Sequence, residues 1–330
     1  MTIQEIAQAL VAPGKGILAA DESESTMAKR FAPIGLEQNP ENNRTYRNLL
    51  FSADGIEEYL SGVILHEQTI HQANDEGVSF PALLATRGII PGIKVDQGLE
   101  ALPGSDVEKV SKGLESLVER LVAYRALGAR FTKWRSVIRI GEGLPTNDAI
   151  EANADVLAAY AEIVQGEHMV PIVEPEVLFE GTHTLEESGE VLRNTLGVLF
   201  GTLAVHGVAM DGLILKTSMA LPGKESGIPL APEDIARETI AALKDAVPET
   251  VAGIVFLSGG QSPEQATANL NAIGALGEQP WPLTFSYSRA IEEPIIAAWA
   301  GEEENVQAAQ DVLRSMLRNN ALARTGEYQV

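Results

Sequence analysis

The segment Asp211–Met219, DGLILKTSM, is a short run of apolar residues followed by a lysine and two hydroxyl side chains. Apolar runs of roughly four to eight residues are typical of strands that are buried on both faces. A lysine directly behind such a run is unusual, because the residues before it are expected to be buried. We therefore interpret the segment as a strand of a parallel sheet that carries a functional residue, Lys216.

Seven further runs of this kind occur along the chain, with segments of helical period between them. Alternating strands and helices predict βα units and a parallel sheet. Eight units in 330 residues favour an α/β fold, a (β/α)8 TIM barrel in one domain over residues 1–330, with a closing C-terminal helix at Val306–Leu322. The other runs are Gly16–Asp21, Gly62–Glu67, one within Ala82–Asp96 where PALLATRG and GIKVD both qualify, Arg130–Ser136, Val170–Val177, Gly253–Gly259 and Leu283–Arg289.

The segments between the runs predict the outer helices of the barrel. Each places apolar residues three and four positions apart, which gives a helix one apolar face. Proline near the start of two of these segments fits the first turn of a helix. The predicted helices are Val107–Leu127, Ile150–Ile163, Leu185–Val205, Pro232–Ala246 and Ser262–Leu276.

Composition narrows the possible partners and chemistry. The formal net charge of -22 argues against nucleic acid or an anionic membrane surface as the main partner, since both require a basic face. The absence of cysteine excludes disulfides, thiolate nucleophiles and cysteine-ligated metals. No basic leader followed by a long apolar run is present, and we expect a cytoplasmic protein.

Charged residues recur where the apolar runs stop, and those positions form the active site of a parallel barrel. Lys133 and Arg135 occupy alternate positions of one run, and Glu174 and Glu176 occupy alternate positions of the next. Side chains two positions apart on a strand point the same way, so both pairs can face the barrel interior. A single lysine or glutamate is usually a surface residue, but an ammonium among buried segments needs carboxylate partners. We therefore expect these groups to share one site.

This set of residues fits amine catalysis. Burial or a neighbouring cation favours the neutral form of a lysine, which attacks a ketone to form an imine. Lys216, with Lys133 nearby, is the candidate nucleophile. A protonated imine accepts electrons, so the bond between the third and fourth carbons of a ketose can break. Loss of water from the carbinolamine needs an acid and cleavage needs a base, and Glu174 and Asp21 are available for these steps.

Phosphate binding is indicated by the turn Ser258-Gly259-Gly260 before a helix start at Ser262. Such a turn offers backbone N–H groups beside the amino terminus of a helix. Alone it is more often a plain strand-to-helix turn, but Arg289 at the next strand end supplies a guanidinium that can bind phosphate in bidentate fashion. Lys94 and Arg30 are candidates for a second phosphate on the opposite side.

Eight sequence strings, in order from about residue 1 to about residue 328, resemble the class I fructose-bisphosphate aldolases. They are Ala19–Ser23 (AADES), Gly62–Glu67 (GVILHE), Gly92–Asp96 (GIKVD), Lys133–Arg135 (KWR), Pro171–Glu176 (PIVEPE), Leu215–Lys216 (LK), Phe256–Ser262 (FLSGGQS) and Phe285–Arg289 (FSYSR).

The resemblance implies a (β/α)8 barrel, usually a homotetramer, that interconverts fructose-1,6-bisphosphate with dihydroxyacetone phosphate and glyceraldehyde-3-phosphate without a metal or other cofactor. It implies that Lys216 is the Schiff-base lysine and Glu174 the acid/base of imine formation, with Lys133 beside it and Glu176 in support. Asp21 would handle the C4 hydroxyl. The C1 phosphate would meet Ser258, Gly259, Ser286 and Arg289, and the distal phosphate would meet Ser23, Arg30, Lys94 and Arg135.

Two positions depart from the family. Ser288 stands where the family usually has glycine, which puts the affinity for the C1 phosphate in question. Animal members carry a long mobile tail whose terminal tyrosine helps to protonate the enamine. Tyr328 resembles an earlier, non-catalytic tyrosine, so enamine protonation is expected to be slow or to use another group.

Three alternatives stay open at this point. One is a related Schiff-base enzyme, such as a transaldolase or an enzyme for fructose-1-phosphate or sedoheptulose-1,7-bisphosphate. A second is a sugar-phosphate sensor or scaffold without turnover, although a binder does not need the catalytic set. The third, a metal-dependent aldolase, is disfavoured because the histidines lack compact ligand spacing apart from a loose pair at 66 and 71. The histidines are His66, His71, His168, His183 and His206.

Overall fold

A computed structural model describes residues 1–229 and 231–329. Eight strands, each parallel to its two neighbours, close into a barrel in the order β1-β10-β9-β8-β7-β6-β3-β2, while β4 and β5 form a separate antiparallel hairpin. The predicted (β/α)8 TIM barrel is confirmed. The strands are β1 (Gly16–Ala20), β2 (Leu60–Leu65), β3 (Ile90–Lys94), β4 (Leu99–Ala101), β5 (Lys109–Ser111), β6 (Phe131–Ile138), β7 (Val170–Val177), β8 (Ile214–Thr217), β9 (Gly253–Phe256) and β10 (Leu283–Tyr287).

Helices cover the outside of the barrel and one of its ends. None of those in residues 1–229 and 231–329 has both the length and the apolar character that crossing a bilayer requires. The helices are α1 (Ile3–Leu10), α2 (Glu24–Phe31), α3 (Pro40–Ser52), α4 (Glu67–Ile70), α5 (Phe80–Thr86), α6 (Leu117–Ala126), α7 (Asn147–Gly166), α8 (Leu185–Val205), α9 (Pro232–Ala246), α10 (Pro263–Ala275), α11 (Arg289–Trp299) and α12 (Val306–Ala323).

The clearest helix predictions are confirmed to the residue. Both α8 and α9 have the predicted bounds. Thr184 begins α8 with a capping box, in which its hydroxyl accepts from the Glu187 N–H and the Glu187 carboxylate accepts from the Thr184 N–H. Proline at the first position of α9 needs no N–H partner there. Local capping chemistry therefore fixes these ends.

Two other predictions need correction. Val107–Leu127 is not one helix: its first part forms β5, and the helix begins only at Leu117. Gly113 lies between them with a φ of 121°, which a continuous helix does not allow. The three- and four-residue spacing within this segment puts Val118 and Val122 on the predicted apolar face, yet they are 49% and 47% exposed. In the third βα unit the strand, β3, takes in the first three residues of GIKVD, whereas most of PALLATRG lies in α5.

The barrel interior changes character from one end to the other. Inward-facing residues near the strand starts form an apolar cluster into which α1 inserts Ile6 and Leu10. Further along the same alternation the inward positions become charged, because Lys133 follows Phe131 by two residues and Glu174 follows Ile172 by two. The strand-borne members of the apolar cluster are Ile17, Ala19, Ile64, Phe131, Val170, Ile172, Ile214 and Val255.

Aromatic rings pack against glycines of neighbouring strands at two places in the barrel. A Cβ built on Gly92 would lie 2.3 Å from Cε2 of Phe131, and one on Gly16 would lie 2.5 Å from the ring of Phe285. Neither contact is possible without a shift of the ring or the backbone. These glycines are therefore required by packing, since neither has a left-handed backbone.

We expect Gly92→Ala to lower the free energy of unfolding by about 2 kcal/mol, because the added methyl group displaces the Phe131 ring in a closely packed interior. Gly197→Ala is the matched control: Gly197 is exposed within α8, and a Cβ there meets nothing within 4 Å. That change should stabilise by up to about 1 kcal/mol through helix propensity. Urea denaturation measures both, and equal effects of the two substitutions would contradict the packing requirement.

Candidate active site

A cavity of about 930 Å³ opens at the carboxyl ends of the barrel strands. All thirteen residues singled out from the sequence as catalytic or phosphate-binding line it. Seven lie on the five strands β3, β6, β7, β8 and β10, four lie in the loops after β1 and β9, and two lie in α2 and α11, so the barrel brings together residues that are far apart in the chain. They are Asp21, Ser23, Arg30, Lys94, Lys133, Arg135, Glu174, Glu176, Lys216, Ser258, Gly259, Ser286 and Arg289.

Four of these residues form a continuous row of ion pairs across the cavity floor. Lys133 Nζ lies 2.7 Å from Asp21 Oδ2 and 3.1 Å from Glu174 Oε2. The other Glu174 oxygen, Oε1, lies 3.2 Å from Lys216 Nζ. Each of the four side chains is at least nine-tenths buried. Glu174 therefore connects the two lysines.

Asp21, Lys133 and Glu174 stay charged although they are buried. Burial alone would raise the pKa of Asp21 and of Glu174, but the attraction of Lys133 and Lys216 outweighs it and lowers both pKa values below their usual range. Burial would likewise lower the pKa of Lys133, and the carboxylates of Asp21 and Glu174 instead raise it well above the usual value. In the free protein Asp21 and Glu174 are therefore ionised at neutral pH.

One group of anion-binding candidates lies at the ends of β9 and β10. Gly259 has a φ of 55°, and Gly260 packs so closely on Phe179 that a Cβ would lie 2.1 Å from the ring. The two glycines permit a tight turn in which successive N–H groups can point toward one anion. Arg289 Nη2 donates to the Gly259 carbonyl at 2.5 Å, which places the guanidinium beside this turn. Ser286 Oγ is buried and has no hydrogen-bond partner within the described residues.

A second group lies on β3 and β6, four places away around the eight-stranded barrel and so across its mouth. Lys94 Nζ lies 2.8 Å from Asp96 Oδ1. Arg135 donates through Nε to Glu176 Oε2 at 2.5 Å, and its backbone N–H donates to Asp96 Oδ2 at 3.3 Å. The two groups of candidates thus lie on opposite sides of the barrel mouth.

Arg30 lies in a buried cluster of two arginines and two glutamates. It pairs with Glu22 and, through Nη1 at 3.3 Å, with Glu292. Arg47 pairs with the same two carboxylates, at 2.5 Å to Glu22 and 3.2 Å to Glu292. Burial and repulsion by Glu22 raise the pKa of Glu292 to about 8. Arg30 contacts Ser288 at the start of α11 and not the carboxylate that pairs with Lys94.

Sequence reasoning missed three carboxylates that pair with basic residues of the cavity. Glu22 directly follows Asp21, just after β1, and pairs with Arg30. Asp96 follows the third strand and pairs with Lys94. Glu292 lies inside α11, where nothing local distinguishes it from a surface glutamate, yet it is fully buried.

Within residues 1–229 and 231–329, no group of three or more histidine, aspartate or glutamate side chains is arranged to hold a metal ion. His66 begins α4, where its Nδ1 accepts from the Gln68 N–H at 3.4 Å. His71 lies 3.6 Å from Glu67 on the same helix. The loose sequence pair at 66 and 71 therefore does not form a ligand cluster.

Comparisons with known proteins give one family over the whole chain. The family model "Fructose-bisphosphate aldolase class-I" matches residues 2–330. A "Probable fructose-bisphosphate aldolase class 1" of Xanthomonas axonopodis pv. citri (strain 306) is 47% identical over 99% of this chain and 98% of its own length. The fructose-bisphosphate aldolase of Schistosoma mansoni is 48% identical over 99% and 91%. A solved fructose-bisphosphate aldolase from Plasmodium falciparum, in complex with TRAP and a small molecule inhibitor, is 45% identical with a TM-score of 0.98, covering 99% of this chain and 95% of that one.

The row of ion pairs makes the stability effect of Lys133 depend on pH. The folded pKa values of Asp21 and Glu174 lie below their ordinary values of 3.8 and 4.5, so the stabilisation is present above those values and is lost as the pH falls through the folded ones. We expect Lys133→Met to lower the free energy of unfolding by about 3 kcal/mol near pH 7. At about pH 4 the loss should be smaller, because the stranded carboxylates then bind protons.

Urea denaturation at the two pH values measures this difference. Arg193→Met is the control, since it breaks a partly exposed pair with Asp245 and should cost less than about 1 kcal/mol at either pH. A loss for Lys133→Met that is the same near pH 7 and pH 4 would show that the carboxylates do not depend on this lysine.

Proposed function

Because the chain belongs to the class I fructose-bisphosphate aldolases, lyases that cleave fructose-1,6-bisphosphate reversibly through a lysine Schiff base, we propose that Lys216 is the lysine that forms this bond. The observation that carries the proposal is the position of its amine, which is buried at the cavity floor 3.2 Å from the Glu174 carboxylate. A carboxylate at this distance can take a proton from the amine and return it later.

Imine formation follows from this contact. The amine nitrogen of Lys216 attacks the ketone carbon C2, and the ketone oxygen takes up a proton to give a carbinolamine. Loss of that hydroxyl as water needs a proton donor, and Glu174, once it has accepted a proton from Lys216, is in place to give it back. Lys133, 3.1 Å from the other Glu174 oxygen, stabilises the carboxylate before the first transfer and after the second. Glu176 supports the site by pairing with Arg135.

Cleavage uses the opposite end of the row. The protonated imine draws the electron pair of the C3–C4 bond toward nitrogen, which leaves an enamine on Lys216. At the same time the C4 hydroxyl loses its proton and becomes the aldehyde of glyceraldehyde-3-phosphate. Asp21, ionised and held by Lys133 at 2.7 Å, is the proposed base. Protonation of C3 and hydrolysis of the imine then release dihydroxyacetone phosphate.

The two anion-binding groups are proposed to hold the two phosphates. Ser258, Gly259, Ser286 and Arg289 would bind the C1 phosphate, and Ser23, Arg30, Lys94 and Arg135 would bind the distal one. Lys94 and Arg135, on β3 and β6, lie four places around the eight-stranded barrel from β9 and β10, which supports a substrate phosphorylated at both ends. Ser23 and Arg30 follow β1, the neighbour of β10. Such a clamp also fixes C2 near Lys216 and the C4 hydroxyl near Asp21, which lowers the entropic part of the barrier.

We further propose that the enzyme acts in the cytoplasm as a homo-oligomer, a tetramer by analogy with the family. The small-molecule sugar phosphates are its proposed partners, and the net charge of -22 disfavours nucleic acid and anionic membrane surfaces. We also propose that residues 1–330 form one domain.

Borohydride trapping tests the role of Lys216. The protein is incubated with dihydroxyacetone phosphate in the presence of EDTA, reduced, and digested for peptide mass spectrometry. We expect one adduct, on Lys216, and none in Lys216→Arg, because a guanidinium does not form the imine. No adduct on the wild-type protein, together with cleavage that is absent or lost in EDTA, would contradict the Schiff-base mechanism.

The division of roles along the row gives a separate test. We expect Asp21→Asn to lower kcat for fructose-1,6-bisphosphate by at least about 100-fold, since an amide cannot accept the C4 hydroxyl proton. Borohydride trapping with dihydroxyacetone phosphate should still label Lys216 in this variant, because imine formation does not use that base. If trapping falls as far as cleavage, Asp21 acts in imine formation as well and the assignment is wrong.

A further inference from the structure

Ser288 occupies the position before α11 at which a serine commonly caps a helix. An N-cap hydroxyl accepts a hydrogen bond from a backbone N–H two or three residues further on. Within the described chain the Ser288 hydroxyl makes no such bond. It donates instead to Glu22 Oε1 at 2.5 Å and accepts from Arg30 Nη2 at 2.8 Å. The serine therefore contacts the wall of the cavity and leaves the helix uncapped.

These contacts decide which edge of Arg30 is free. A guanidinium has an end edge, formed by Nη1 and Nη2, and a side edge, formed by Nε and the second hydrogen of Nη2, and either can bind two oxygens at once. The end edge of Arg30 is engaged, by Glu22 at Nη1 and by Ser288 at Nη2. Nε, the other nitrogen of the side edge, has no hydrogen-bond partner among residues 1–229 and 231–329. Arg30 lines the cavity, so the free edge is available to a ligand there.

The groups that hold Ser288 are themselves fixed. Glu22 is 9% exposed, and its second oxygen pairs at 2.5 Å with Arg47, which is 2% exposed. Arg47 also pairs with Glu292, which is fully buried within α11. The Glu22 carboxylate that Ser288 contacts is therefore held from behind by its buried ion pair with Arg47. A hydroxyl that bonds to this carboxylate and to Arg30 restricts rotation of the guanidinium about its last bonds.

We propose that Ser288 is a positioning residue for substrate recognition, whose hydroxyl holds the end edge of Arg30 so that the side edge binds the distal phosphate of the substrate. This inference rests on the proposed function, which assigns Arg30 to that phosphate. Glycine, the residue usual at this position in the family, has no side chain to make either contact. In this chain the orientation of Arg30 is thus set partly by a side chain from the loop between β10 and α11.

The test compares two substrates of one enzyme. We expect Ser288→Ala and Ser288→Gly to raise KM for fructose-1,6-bisphosphate roughly fivefold to tenfold, with kcat changed less than about twofold, because a contact that orients a charged donor is lost. KM for fructose-1-phosphate, which has no distal phosphate, should change less than about twofold. Thr184→Ala is the control: its hydroxyl does cap a helix, and its loss should leave both KM values unchanged.

A double-mutant cycle separates positioning from a general structural effect. Arg30→Lys keeps the charge but loses the two-nitrogen edge. In that background Ser288→Ala should raise KM for fructose-1,6-bisphosphate by less than about twofold, because the edge that the serine orients is gone. Additive effects of the two changes would overturn the proposal.

The remaining outcomes are also decisive. Unchanged KM for the bisphosphate in both Ser288 variants would overturn the inference, and so would an equal rise for the two substrates, since the serine would then not act on the distal phosphate. Failure of the proposed function is seen separately, in the wild-type protein, as absence of cleavage and of the borohydride adduct. Loss of specificity only in the variants leaves the Schiff-base mechanism untouched.

Discussion

Glu174 contacts two buried lysines with its two oxygens, and the geometry of the cavity depends on this bridge. A buried ammonium is costly without a carboxylate partner, and Lys133 and Lys216 share one. Asp21 completes the pairing of Lys133 from the opposite side. The result is a row of alternating charges in which a proton can move at one end while the charge at the other end stays fixed.

The row can exist because the barrel separates its interior into two zones. The first residues of the strands, together with α1, form an apolar cluster. The inward-facing positions become ionisable only toward the carboxyl ends of the strands. Phe131 and Lys133 on β6, or Ile172 and Glu174 on β7, show the change within two residues. The apolar residues pack beneath the charged ones, and this packing fixes the positions of the lysines along the barrel axis.

Much of this could be predicted from the sequence, because strands with charged ends and capped helices are encoded locally. Lys133, Glu174 and Lys216 stand out since each follows apolar residues, and Thr184 and Pro232 fix helix starts. The exposure of Val118 and Val122 was not predicted, because an apolar pattern does not say whether other residues cover that face of the helix. The start of this helix was predicted wrongly, because Gly113 interrupts it. No local sequence feature predicts the burial of Arg47 and Glu292, since their pairing joins α3 to α11 across most of the chain. Long-range pairing of this kind is set by tertiary packing alone.

The position of α1 has a consequence for the order of events in turnover. Its residues Ile6 and Leu10 close the amino-terminal end of the barrel, so that exchange with solvent takes place at the opposite end. Both halves of a split sugar must then leave by the opening through which the intact sugar came. In the proposed mechanism one half is still bonded to Lys216 at the floor, whereas the aldehyde lies free above it. The aldehyde therefore departs first, and in the synthetic direction the ketose phosphate must be loaded before the aldehyde can arrive.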